Sequence, residues 1–451
     1  MKRGDQIELD ILEIDGKGDG RGVVGDREVV VRRAVPGDRV EARVVKKRRG
    51  RLDAEIEKIV SEGVPRQDPS CGHFGLCGGC RWQDFSYDDQ LVLKERMVRN
   101  AFVTRGFNEV SIKPILPSAS PFFYRNKMEF SFGCDREGNI QLGLHVRGRF
   151  NQVFNIEDCQ LQSSISNRVV QVVRSLAIGL GLSVYDLRTH EGLLRFLVVR
   201  EAKKSGQLMV NLVVASYPDE GVDALVKGIV EAVPEIDVLI VTLHQGKAQV
   251  AKGQSEFILR GVGHIEEICG GFTFGISPQS FFQTNSLQAD KLYTVVEELA
   301  GEFSSGQTLD LYCGTGAISL HLARSAVGVV GIEVVEEAVV DARRNAERNN
   351  VNNCEFIAGT AEDLLVGLQG EGRHFDLIVV DPPRPGVHKK ALAALVGLRP
   401  SCIVYVSCNP ETLADDLVVL TNEGYHIGEV QPVDMFPQTP HCEVVCQLSK
   451  T

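Results

Sequence analysis

The runs TLDLYCGTGA (308–317), VGVVGIEV (327–334), CEFIAG (354–359), FDLIVVDPP (375–383) and CIVYVSCNP (402–410) are short apolar segments separated by stretches of helical periodicity. Apolar residues fill consecutive positions in these runs rather than alternate ones, which marks strands covered on both faces of a parallel sheet. Strand and helix in strict alternation give a doubly wound α/β domain, so a Rossmann-like C-terminal domain is expected from about Thr308 onward.

Working outward, the chain of 451 residues is too long for a single ordinary domain. Residues 121–249 alternate apolar and polar positions at period two in MEFSFGC, RFLVVREA, GQLMVNLVVAS and VLIVTLHQG. An α+β central domain of antiparallel strands follows, with helices over 163–179 and 221–232. Before it, Tyr87–Arg105 reads as an amphipathic helix whose apolar stripe is Leu91, Val92, Met97, Val98 and Phe102. The first 60 or so residues carry β-branched runs at 6–11, 29–33, 39–45 and 54–59, broken by the glycine-dense DGKGDGRG and by Pro36-Gly37-Asp38. Short strands at that density suggest a small barrel of the OB type, a common holder of single-stranded nucleic acid.

Composition narrows the class. Apolar residues make up 43% and charged residues 24%, the balance of a globular protein. No apolar stretch approaches the roughly 20 residues that span a bilayer, and the opening MKRGDQIELD is charged where a secretory segment is apolar. A cytoplasmic protein without membrane contact is expected, and its twelve cysteines are then metal ligands, reactive thiols or small core residues. The net charge is −11, yet Arg32–Arg51 holds nine basic residues against two acids. Such a stripe on an acidic body can guide a polyanion into one groove. Within it KKRRGR (46–51) is either a phosphate-contacting loop or a solvated turn.

Chemistry enters at the strand ends, where open α/β sheets bind ligands. Gly314 and Gly316 let the backbone turn tightly after the first strand, and Glu333 closes the next one, placed for ribose hydroxyls. The stretch lacks the third glycine of a dinucleotide fingerprint, and the acid at its start suits a ligand without phosphates, such as S-adenosylmethionine. Two later strands run into Asp381-Pro382-Pro383-Arg384 and Ser407-Cys408-Asn409-Pro410. Methylating carbon 5 of uracil needs a thiolate to add at carbon 6, making carbon 5 nucleophilic, and then a base to remove the carbon 5 proton. Cys408 is the natural thiol, although a cysteine at a strand end is by itself more often a small core residue. Cys313, Cys354, Cys402, Cys442 and Cys446 lack such a setting and read as core.

SPQSFFQTN (277–285), DLYCGTGA (310–317), DPPRPG (381–386), SCNP (407–410) and HCE (441–443) stand in the order found in the RNA uridine-5 methyltransferases, and the chain resembles that family over almost its whole length. The resemblance implies that Cys408 is the nucleophile and Glu443 the general base. It implies that Gln283, Tyr312, Gly314, Gly316, Glu333 and Asp381 hold S-adenosylmethionine. Ala317 and Thr360 occupy positions where members often differ. The N-terminal barrel resembles a TRAM domain. Residues 1–62 then form an RNA-binding barrel, 63–82 with 115–270 a central iron–sulfur domain, and 83–114 with 271–451 the class I methyltransferase domain. The subgroup with both barrel and cysteines resembles the enzymes acting on large-subunit (23S) ribosomal RNA, with transfer RNA the alternative substrate. A monomer is expected.

Cys71, Cys77, Cys80 and the distant Cys159 can hold zinc or an iron–sulfur cluster, or be free or redox thiols; spacing does not separate these. The resemblance implies a [4Fe–4S] cluster. It also implies RNA-facing roles for Tyr124–Lys127 and His145–Arg149, which read equally as solvated turns. Two other classes compete. A radical methylthiotransferase needs a tighter cysteine run than this one, and a non-catalytic RNA-binding protein has no use for Cys408, Asp381 and Glu443 at one crevice.

Overall fold

The computed structural model describes residues 1–450. The N-terminal unit is a six-stranded sheet of Gln6–Asp10, Glu13–Ile14, Gly20–Val24, Arg27–Arg32, Arg39–Lys47 and Arg51–Ser61, taken in the order first, fifth, sixth, fourth, third, second. Leu12 N–H bonds the Arg21 carbonyl at 2.8 Å, drawing the two ends together so that the sheet curls into a barrel. Val29, Val31, Val40, Ala42, Val44, Leu52 and Ala54 fill it. Closure needs glycine at one crossing: a Cβ on Gly22 would lie 2.4 Å from the Asp10 carbonyl oxygen. KKRRGR forms the tip of the Arg39–Lys47/Arg51–Ser61 hairpin rather than a free loop. Asp53 accepts from Arg48 at 2.9 Å and from Arg51 at 3.0 Å, so two of its cations are already engaged.

The central sheet runs Ser255–Arg260, Val238–Leu243, Leu208–Val214, Leu194–Glu201, Lys127–Cys134, Ile140–His145, Val153–Asn155. It is antiparallel except where Leu208–Val214 pairs in parallel with Val238–Leu243, the two being joined by helix Glu220–Ala232. Leu194–Glu201 and Leu208–Val214 are buried almost throughout, not on alternate positions. Helices Ser164–Gly179 and Glu220–Ala232 cover one face, and Met209, Val238 and Ile240 on the other join the core of the C-terminal domain.

The C-terminal sheet has the order Cys354–Ala358, Gly328–Glu333, Gln307–Leu311, Leu377–Val380, Cys402–Ser407, Glu443–Lys450, Tyr425–Val433. The first five strands are parallel; Glu443–Lys450 is antiparallel to both its neighbours. Residues 112–116 lie along the outer edge, with Lys113 N–H on the Val430 carbonyl and Leu116 N–H on that of Pro432, each at 2.9 Å. Helix Tyr87–Val103 packs on this domain through Val98 and Phe102.

That helix corrects the expected stripe. It ends at Val103 instead of Arg105, Val92 is 63% exposed, and Gln90 and Lys94 are buried with Leu93, Met97, Val98, Ala101 and Phe102. The inward face includes two polar side chains because their partners, Gln438 and Asp434, are supplied from the far end of the chain.

Candidate active site

Gln307–Leu311 is the strand at which the sheet order reverses, with Gly328–Glu333 on one side and Leu377–Val380 on the other. In open α/β sheets the ligand crevice lies beyond the strand ends at such a reversal. Three residues after it take left-handed backbone: Tyr312 at φ 66°, Gly314 at 53° and Gly316 at 84°. For Tyr312 this costs about 1–3 kcal/mol, strain that surrounding structure must hold. A Cβ on Gly316 would crowd Phe356 at 3.1 Å. Glu333 closes its strand and accepts from Gly314 N–H at 3.2 Å and Val335 N–H at 2.9 Å, so its carboxylate is pinned at the crevice wall. Helix Ala317–Leu322 starts with no side-chain cap, which leaves its first N–H groups toward the crevice. Beneath it Asp310 is fully buried, accepts from Ser319 at 2.5 Å, and is pushed up to about 7 by burial. Thr360 caps helix Ala361–Gly370 through Asp363 N–H.

Gln283 is buried in the loop that precedes helix Ser286–Ala300. The central domain grips this loop. Asn126 donates to the Gln283 carbonyl at 2.8 Å, its own N–H bonds the Thr284 carbonyl at 2.8 Å, and buried Arg200 donates to the carbonyls of Pro278 and Ser280.

Cys408 follows strand Cys402–Ser407, and Glu443 opens the antiparallel strand beside it, with Ser407 opposite Val444. Antiparallel pairing therefore brings both side chains to one end of the sheet, next to Asp381 at the end of Leu377–Val380. Glu443 is 4% exposed. Burial pushes it up to about 8, with Asp381 raising it further and Arg384 opposing. Asp381, half-buried, is held up at about 7 by the same desolvation. The Cys408 thiol is pushed to about 11, first by burial, then by Glu443 and Asp381, with Arg384 the counterweight. A thiol so placed rests protonated at neutral pH, while the two carboxyls sit where they exchange protons readily. His441 is driven down to about 4, chiefly by burial, and is neutral.

Cys71, Cys77, Cys80 and Cys159 line one cavity of about 520 Å³ with Arg125, Lys127, His145 and Phe281. Burial raises the thiols of Cys77, Cys80 (to about 12) and Cys159, and their mutual proximity raises them further. All twelve cysteines are free. Among the described residues no three His, Cys, Asp or Glu side chains form a group able to hold a metal ion. Cys313, Cys402, Cys442 and Cys446 are buried and Cys354 half-buried, away from this cavity.

Arg384, the cation nearest in effect to Cys408, Glu443 and His441, stood in the DPPR motif without an assigned part. Lys94, Gln90 and Arg200 carried no local signal, since each works on a segment remote in sequence, and Asn126, expected to face RNA with Tyr124–Lys127, is instead buried and bonded to the 283–284 carbonyls.

The profile described as tRNA (Uracil-5-)-methyltransferase matches residues 267–451. An uncharacterized RNA methyltransferase of Caldanaerobacter subterraneus subsp. tengcongensis is 38% identical, covering 100% of each chain. A second, from Chlorobaculum tepidum, is 38% identical over 98% of this chain and 96% of its own. The crystal structure of Pyrococcus abyssi tRNA (uracil-54, C5)-methyltransferase in complex with S-adenosyl-L-homocysteine superposes with a TM-score of 0.77 at 29% identity, covering 98% of this chain and 100% of that one. No helix among the described residues is long and apolar enough to cross a membrane. A doubly wound crevice for a nucleoside ligand, a cysteine between two carboxyls at its mouth and whole-length relatives of one kind agree, and the chain belongs to the RNA uracil-5 methyltransferases.

Proposed function

We propose that this S-adenosylmethionine-dependent RNA uracil-5 methyltransferase works through a covalent bond between Cys408 and carbon 6 of its target uracil. The observation that carries the reading is the placement of Cys408, Asp381 and Glu443 on the ends of neighbouring strands at the crevice. Cys408 passes its thiol proton to the neighbouring Asp381 carboxylate and adds to carbon 6 as the thiolate, with Asp381 and Glu443 bracketing the ring. S-adenosylmethionine, when bound, supplies an electrophilic methyl group. Gln283, Tyr312, the turn at Gly314 and Gly316, Glu333 and Asp381 are the residues to hold it: a pinned carboxylate for ribose hydroxyls and open backbone for the amino-acid tail. After transfer Glu443 takes the carbon 5 proton, the ring double bond re-forms, and the Cys408 sulfur leaves. The target base must leave its stack to reach this depth. RNA carrying 5-fluorouridine, which has no carbon 5 proton to lose, should trap the protein as a denaturation-resistant adduct mapping to residue 408; absence of that adduct with an RNA the enzyme modifies overturns the mechanism.

We propose that the four-cysteine cavity holds a [4Fe–4S] cluster, whose four irons let the thiolates stand further apart than ligands on a single ion do. Gly79 N–H and the Gln83 amide donate to the sulfurs of Cys77 and Cys80 at 3.2 and 3.3 Å, bonds that favour thiolates. Arg125 Nε, buried in the wall, has no hydrogen-bond partner among the described residues, as suits a negatively charged group in the cavity. Thiols held protonated by burial bind metal only by releasing their protons to solvent as the metal enters. Protein purified without oxygen is expected to be brown and to contain iron and acid-labile sulfide, lost in Cys80→Ala; stoichiometric zinc without iron refutes this.

For RNA, a cavity of about 530 Å³ lies between the barrel, the cysteine segment and the central domain, lined by Arg32, Arg33, Arg66 and Arg147. Arg32, Arg33 and Arg66 pair with Glu55, Asp84 and Asp38 at 2.6, 3.1 and 2.6 Å. Arg147 has no carboxylate partner among the described residues, and burial followed by Arg81, Arg33 and Arg32 lowers its proton affinity. A phosphate relieves that repulsion. Arg147→Glu is expected to weaken RNA binding about tenfold and to flatten the slope of log Kd against log salt by about one, measured by filter binding. An unchanged slope would exclude this groove.

The barrel joined to the cysteine cavity favours large-subunit ribosomal RNA as substrate. The archaeal relative, which acts on uracil-54 of transfer RNA, favours the alternative. Mass-spectrometric mapping of 5-methyluridine in both RNAs, from cells with and without the protein, decides between them.

A further inference from the structure

Glu443 is reached through the strap Asp434–His441, which connects the last two strands and is held from outside the sheet. Lys94 and Asp434, both 0% exposed at their side chains, form an ion pair at 2.5 Å. No nitrogen or oxygen of the pair is left without a hydrogen-bond partner. Lys94 also donates to the Phe436 carbonyl at 3.1 Å; Asp434 accepts from Phe436 N–H at 3.1 Å and from the Tyr87 hydroxyl at 2.8 Å. Tyr87 oxygen in turn accepts from Ser118 N–H at 2.8 Å. Further along, Gln438 takes φ 68°, a left-handed conformation that a non-glycine residue adopts only under constraint. The constraint is reciprocal amide bonding with Gln90, at 2.8 and 3.0 Å, and two N–H groups, Arg81 and Trp82, on the Gln438 carbonyl at 2.9 and 3.1 Å. Tyr124 of the central domain donates to the Pro437 carbonyl at 3.1 Å.

A buried ion pair is a poor source of stability, because desolvating two charges offsets most of their attraction and an apolar pair would hold the helix as firmly. What it adds is direction: a connection with fixed length and angle at both ends. The strap leads from this pair into the residue whose carboxyl must meet one carbon–hydrogen bond, and misplacing such a group by about 1 Å costs on the order of 100-fold in rate.

We propose that Lys94, Asp434 and Gln90 are positioning residues for Glu443, acting at the step that releases methylated RNA. The proposal rests on the reading of Glu443 as the base. In that step the carbon 5–hydrogen bond breaks and the proton passes to Glu443. Its electron pair forms the carbon 5–carbon 6 double bond, and the bond from carbon 6 to Cys408 sulfur breaks to give the thiolate. Cys408 stands on a different strand from the strap and shares no hydrogen bond with it, so adduct formation depends on the strap far less than release does.

The test uses the full-length holoprotein and RNA extracted from cells lacking the enzyme. Lys94→Met/Asp434→Asn removes both charges together and avoids leaving one buried alone; Gln90→Leu loosens the strap with the ion pair intact. Both are expected to form the Cys408–RNA adduct at the wild-type rate and to release it about 10- to 100-fold more slowly. Unsubstituted RNA then accumulates as a covalent band on denaturing gels. Combined with Glu443→Gln, neither adds a further loss, because the positioned group is gone. Formation and release falling in parallel, wild-type release rates, or failure of both variants to fold would each reduce the strap to a structural element and overturn the proposal. If Glu443→Gln itself accumulates no adduct, the assignment of the base is wrong and the proposal falls with it, a result distinct from the failure of the strap variants alone.

Discussion

Cys408→Ala is expected to lose methyl transfer by about 10⁴-fold or more, since removing a covalent nucleophile eliminates the pathway and does not merely slow it. RNA and S-adenosylmethionine binding should hold within about twofold. Cys408 is half-buried at a strand end and makes none of the hydrogen bonds that shape the crevice. The assay is methyl incorporation from labelled donor, with filter binding as the control. Carbon 5 of a uracil that carries no thioether is too weak a nucleophile to attack a methyl sulfonium at a measurable rate. Wild-type turnover in Cys408→Ala would exclude covalent catalysis; a loss of binding equal to the loss of rate would reassign the residue to the architecture of the crevice.

Glu443→Gln is expected to slow turnover about 10²- to 10⁴-fold, the range for loss of a positioned general base, while the adduct still forms and builds up. The pH dependence adds a second signature. Burial holds the Glu443 carboxyl at about 8, so the ionised base becomes scarcer as pH falls below 8 and the wild-type release rate drops with it. That limb should vanish in Glu443→Gln. Stability moves the opposite way. The folded state holds this carboxyl above its unfolded value, so it favours the protonated form, and the stability associated with it is present at low pH and is lost as pH rises toward 8. The glutamine variant, which cannot ionise, should therefore melt higher than wild type at pH 9 and nearly level with it at pH 5. Activity and stability trade against each other at this residue, as they do where a charge is buried for chemistry.

Some elements were readable from short stretches because local physics decides them. The five parallel strands follow from consecutive apolar runs, which only a sheet covered on both faces can bury. The turn after Leu311 follows from glycines in left-handed backbone, and Cys408 and Asp381 from their places at strand ends. Other features were not readable for equally definite reasons. Strand Leu208–Val214 looked half-exposed by its period, but a second domain covers its outer face. Arg200 sits in a strand with no local partner and is satisfied by carbonyls of the 277–285 loop. Glu443 standing alone resembles a surface acid; its burial arises because the final strand inserts between Cys402–Ser407 and Tyr425–Val433.

By itself, then, the order of residues determined which segments are strands and helices, where the backbone must turn, and which thiol and carboxyls stand at strand ends, because periodicity, glycine conformation and strand direction act over a few residues. Only the tertiary structure decided that Lys94 and Gln90 face inward, that Glu443 is a buried carboxyl held near 8, and that an N-terminal helix braces the strap leading to it. The physical reason is desolvation: whether a charge is buried, and what compensates it, depends on partners such as Asp434, 340 residues from Lys94, which no local pattern encodes.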